Sequence, residues 1–104
     1  MTHVVVITTT ATADAAADLG RAAVTRGLAA CAQLVGPIRS IYRWEGAVQD
    51  DTEHQCWLKT TLEQVEPLTA FITEHHDYDV PEVIALPVVG GSPAYLDWVS
   101  AAVR

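Results

Sequence analysis

The side chains with the most chemistry to offer are His75, His76, Cys31, Lys59 and Glu82. His75 and His76 stand side by side where a helical pattern ends. Imidazole suits copper and zinc, and adjacent rings can converge on one ion if the backbone turns between them. The competing reading is structural: His75 falls on an apolar helix face and His76 caps the helix C-terminus. Cys31 offers a thiol that would bind a soft metal or act as a nucleophile, with Lys59 nearby to favour the thiolate. Against this, no general base is implied beside it, and a small thiol in an alanine-rich strand is what cores commonly bury. Lys59, the only lysine, and Glu82 would hold a small anionic ligand, or pair with opposite charges to order an assembly. No glycine-rich phosphate loop, nucleophile elbow or catalytic triad spacing accompanies them.

Composition narrows the partners. The chain has 104 residues, half of them apolar, and carries a formal charge of −7 with only six Lys and Arg. One domain spanning 1–104 is expected at that length. The pI of about 4.7 argues against nucleic acid and against an anionic membrane, because both require a basic face. No segment reaches the roughly 20 apolar residues of a membrane span. The opening run Met1–Ile7 has no basic n-region, so a cytoplasmic location is expected, with Cys31 and Cys56 as thiols.

The elements that must carry these residues follow from periodicity. Val4–Ile7 is a β-branched run, the mark of a strand buried on both faces. Ala13, Ala16, Ala17, Gly20, Ala23 and Val24 recur at helical spacing, with Thr12 as cap and Arg26-Gly27 as stop. Residues 28–60 read as one long hairpin, interrupted by a bulge or kink at Gly36-Pro37 and turning at Glu45-Gly46. That register places Cys31 near Thr60 and Cys56 near Val35, too far apart for a disulfide. A second helix uses Val65, Leu68, Ile72 and His75; a capping box at Thr61–Gln64 competes with Pro67 for its start. Glu82–Val88 is the last strand, and Ser92-Pro93 opens a terminal helix bearing Tyr95, Leu96, Val99 and Val103. The order is β-α-β-β-α-β-α, an α+β split β-α-β arrangement with an added helix.

Hairpin arms of this length reach about 43–53 Å, whereas the second helix covers about 15–21 Å. The overhang carries Ile41, Tyr42 and Trp44, and the first arm lies at a sheet edge; both point to association with further copies. Trp44-Glu45-Gly46 reads as turn plus contact between copies, so Tyr42, Trp44 and Glu45 are the expected interface residues.

Five stretches in order, Ala29-Ala30-Cys31-Ala32, Ser40–Gly46, Leu58-Lys59-Thr60, His76–Glu82 and Tyr95–Trp98, resemble the CutA divalent-cation-tolerance family over about residues 4–103. The resemblance implies a ferredoxin-like subunit in a homotrimer whose long hairpins pair at subunit edges. It implies a non-enzymatic protein that binds copper or another divalent cation in metal tolerance. An architecture similar to the PII signalling proteins implies the alternative, a small anionic metabolite held between subunits. The family's copper-binding pattern adds to the histidine pair a cysteine just after the first strand's apolar run, where this chain has Thr8.

Overall fold

The computed structural model describes residues 2–104, so Met1 of the expected span lies outside the described residues. Strand β1 (His3–Thr10) is central, flanked by β3 (Ala47–Thr61) and β4 (Ile84–Pro87), with β2 (Cys31–Trp44) outside β3. The four-stranded order is β2-β3-β1-β4, antiparallel throughout. Every residue of β1 from Val6 to Thr10 is buried, which explains its β-branched composition.

Helices α1 (Ala13–Thr25) and α2 (Val65–His75) cover one face, where Val4, Val6, Cys56 and Leu58 meet Ala16, Leu19, Ala23, Leu68, Phe71 and Ile72. Strand alternation sends His3 and Lys59 to the opposite face. There His3 Nε2 lies 2.8 Å from Ser100 Oγ and the Lys59 ammonium 5.4 Å from the Tyr95 ring centroid, both on α3 (Pro93–Ala102).

The local signals hold where expected. Thr12 Oγ1 accepts from Ala15 N at 3.1 Å. The N–H groups of Gly27 and Leu28 bond the carbonyls of Val24 and Ala23, closing α1 in a Schellman arrangement. Ser92 caps α3 and Pro93 occupies its first turn. Thr61 makes no capping bond; a short 3-10 turn, Leu62–Gln64, intervenes and leaves Pro67 in the first turn of α2, where its missing N–H costs nothing.

Three details differ from expectation. The buried stripe of α1 is centred on Leu19 and Gly20, with Ala13 and Val24 exposed. A Cβ on Gly20 would sit 2.8 Å from Ala32 Cβ, so α1 rides close to the sheet only because that position is bare. In α2 the third buried side chain is Phe71, and His75 is exposed. The hairpin bulge lies on β2: Ile38 pairs with Glu53 but Val35 with Gln55. It places Cys31 opposite Lys59 rather than Thr60, and Cys56 opposite Leu34 rather than Val35. Both cysteines are free thiols.

The hairpin closes through Glu45 and Gly46 at φ 50° and 79°, positive at both central residues as a type I′ turn demands. Its outer half leaves Ile41 66%, Val48 65% and Trp44 42% exposed. The 11-residue α2 reaches only about 16 Å, against a long molecular extent of 44 Å.

Candidate functional site

Beyond α2 the chain leaves the helix at His76, whose extended backbone (φ −92°, ψ 145°) starts the loop to β4. That loop and the outer hairpin enclose a groove of about 850 Å³. Tyr42 and Trp44 contribute from β2, Asp51 and Glu53 from β3, and Asp77, Tyr78, Asp79 and Glu82 from the loop. Five carboxylates thus line it, and among the described residues no lysine or arginine does.

Two tyrosines organise the acids. The Tyr78 hydroxyl donates to Glu53 Oε2 at 3.0 Å, and the Tyr42 hydroxyl donates to Asp51 Oδ2 at 2.6 Å. Glu53 is only 8% exposed, so it holds a buried acceptor satisfied by a phenol. Burial first, then the bond to Glu53, pushes the Tyr78 hydroxyl up to about 12. Glu82 is raised by desolvation and then by the neighbouring Glu53 charge. Removing water and crowding like charges both disfavour ionisation, and both act on Glu82 in this acidic groove.

The residues singled out by sequence fall in separate places. Cys31 and Lys59 do meet, as register partners across β2 and β3. Glu82 does not join them. It precedes β4, whose Ile84 pairs with Ile7, whereas Lys59 pairs with Val5. Glu82 interacts instead with Glu53, six positions and about 20 Å along β3 from Lys59. Tyr42 and Trp44 are exposed groove-lining residues, and Glu45 occupies the turn. His75 Nδ1 donates to Phe71 O at 2.9 Å, leaving Nε2 with a lone pair. His76 has both nitrogens engaged, Nε2 with Thr9 O at 2.7 Å and Nδ1 with Tyr78 N at 3.0 Å.

The copper pattern carried by the resemblance does not fit this arrangement. Between them the two imidazoles offer one free nitrogen, and Thr8 is a hydroxyl wholly buried opposite Cys56. Among the described residues, no three His, Cys, Asp or Glu side chains converge as a metal-holding group. Among the described residues Thr8 Oγ1 has no hydrogen-bond partner, and an unmade bond to a buried hydroxyl is costly. Thr8→Val, matching its shape without the hydroxyl, is expected to raise stability by about 1 kcal/mol. Denaturant unfolding measures it, and a destabilised variant would show that the hydroxyl is satisfied.

Glu53, Asp51 and Tyr78 were not singled out as ligand residues. The signal was present in the hairpin register, which sets Asp51 opposite Ser40 and Glu53 opposite Ile38, on the face shared with Tyr42. The loop that brings the remaining carboxylates has no such periodicity.

Comparison with known proteins places this geometry in context. Residues 4–102 match the family described as CutA1 divalent ion tolerance protein. The chloroplastic protein CutA of Arabidopsis thaliana is 45% identical over 101 residues, covering 97% of this chain and 56% of its own. The divalent-cation tolerance protein CutA of Escherichia coli is 39% identical over 103 residues, covering 99% and 92%. The chain spans about half the length of the plant and vertebrate relatives it matches. The crystal structure of CutA1 from Oryza sativa superposes with a TM-score of 0.96 at 39% identity, covering 100% of this chain and 95% of that one.

Proposed function

The chain belongs to the CutA1 divalent ion tolerance protein family, and from that premise we propose that it is a homotrimeric divalent-cation-binding protein serving tolerance to metal ions. The acidic groove beneath Tyr42 and Trp44 carries this reading. Its carboxylates and phenols are hard oxygen donors, a set that suits Mg²⁺, Ca²⁺ or Mn²⁺ better than copper. Among the described residues no three ligands converge; in this reading a neighbouring copy supplies the remainder of the site. Both outer strands, β2 and β4, have an open edge, and the apolar tip of the hairpin stands uncovered beside the groove. An assembly that covers the tip and pairs those edges removes both liabilities.

His75 Nε2 and the Cys31 thiol are separate softer donors, each available to copper only singly. We place the protein in the cytoplasm, where its two unpaired thiols stay reduced, and assign it no reaction. Calorimetric titration with Mn²⁺, Zn²⁺ and Cu²⁺ at pH 7 is the test. Saturable binding that disappears as the carboxylates protonate below about pH 4 is expected. No saturable uptake of any of the three would remove the reading.

A PII-like alternative draws on Lys59. Among the described residues no ion pair involves it, and its ammonium faces Tyr95 beside Cys31, a setting that would accept a small anionic metabolite between copies. A ligand of this kind would raise the melting temperature of the wild type but not of Lys59→Ala.

A further inference from the structure

We infer that His76 is a positioning residue that pins the wall of the acidic groove, and that His75 and His76 do not chelate a cation in this chain. A carbonyl only accepts, so the 2.7 Å contact with Thr9 O requires the proton on His76 Nε2. Nδ1, left with its lone pair, accepts from Tyr78 N at 3.0 Å. A single neutral tautomer satisfies both contacts, and it leaves no nitrogen for a metal.

The contacts run as one chain across three segments. Thr9 belongs to β1, His76 to the end of α2, and Tyr78 to the loop, from which its hydroxyl reaches Glu53 on β3. The His76 and Tyr78 rings also pack at 4.7 Å. Ligating a metal through His76 would strip the Thr9 carbonyl or the Tyr78 N–H of its partner, and with it the phenol that organises Glu53.

His75 turns elsewhere. Its Nδ1 bonds Phe71 O and its ring lies 4.4 Å from the Phe71 ring, so it serves at most as a lone ligand. Thr8 shares the strand face of Val6, pairs with Cys56 and is wholly buried. The three positions that the family pattern would join therefore look in different directions. This inference rests on the groove's geometry and not on the groove binding a cation.

Ring-nitrogen NMR with zinc alone is the test, supported by His76→Gln, which keeps a donor near the Nε2 position, and His76→Ala, which does not. His76 should appear as the Nε2–H tautomer and stay so in excess Zn²⁺. His76→Ala should melt about 4–8 °C lower and ionise Tyr78 nearer the ordinary tyrosine range, with His76→Gln recovering most of both. Zinc-dependent loss of the Nε2 proton would overturn the inference, as would a tenfold or greater loss of zinc affinity in a His76→Gln protein of unchanged melting temperature. Should the wild type bind no zinc, the tautomer and the melting results decide the inference, and a His76→Ala protein that melts as the wild type does would overturn it.

Discussion

Leu58→Ala should cost about 3–4 kcal/mol of folding stability, within the range for a leucine truncated in a close-packed core. Leu58 is 0% exposed at the centre of β3, between Val6 on β1 and Ala32 on β2. The cover above it comes from α1 and α2 through Ala16, Leu19, Leu68 and Ile72. The neighbours on the α1 side are mostly alanines, already at their closest approach where Gly20 meets Ala32. They have no longer side chain to swing into the void, so relaxation is poor and the cavity cost is retained. For a domain whose whole stability is about 5–15 kcal/mol, that is a large share. The control is Val80→Ala: Val80 is exposed in the groove loop, and its truncation should stay within about 0.5 kcal/mol. Denaturant unfolding at fixed protein concentration measures both, since dissociation is coupled to unfolding in an oligomer. A loss below about 1 kcal/mol for Leu58→Ala would show that the core has been misplaced.

Glu53→Gln should weaken divalent-cation binding about tenfold or more, on the scale seen when metal-site groups are altered, while leaving the fold intact. The amide oxygen still accepts from Tyr78, so the buried hydrogen bond survives and only the charge is removed. The same change acts on Glu82, whose carboxyl is raised partly by the charge of Glu53. A glutamate raised on folding opposes the folded state as pH climbs through its folded pKa; below the ordinary glutamate range the penalty is absent. Relief of that repulsion should therefore make Glu53→Gln slightly more stable than wild type near pH 7 but not below about pH 4. Glu82 is largely solvent-facing, which screens the interaction and keeps the gain small. Calorimetry gives the affinity, and denaturant unfolding at the two pH values gives the stability difference. Undiminished binding in a folded variant would place the cation elsewhere.

What sequence revealed of the fold was mostly local chemistry. Thr12, Ser92, Pro93 and the Glu45-Gly46 turn act through their own backbone, so their roles survive into the structure. The edge position of β2 followed from the split β-α-β order of the elements. Pro37 announced an interruption, but the residue count around it was settled only by which strand absorbed the extra residue, hence the one-place offset at Cys31. The buried helix faces include Leu19 and Phe71, which periodicity alone does not single out, because alanine-rich α1 and short α2 each admit neighbouring stripes of similar apolarity. The groove was hidden for another reason. Asp77, Tyr78, Asp79 and Glu82 belong to a loop whose path is set by His76 reaching Thr9, a contact 67 positions apart in sequence. No periodicity encodes it.

Sedimentation velocity at micromolar concentration weighs most directly on whether copies of this chain complete one another. A single species of three times 11.2 kDa is expected, persisting on dilution. A well-folded 11.2 kDa protomer, with its hairpin tip stably exposed to water, would contradict both the assembly and the shared cation site built upon it.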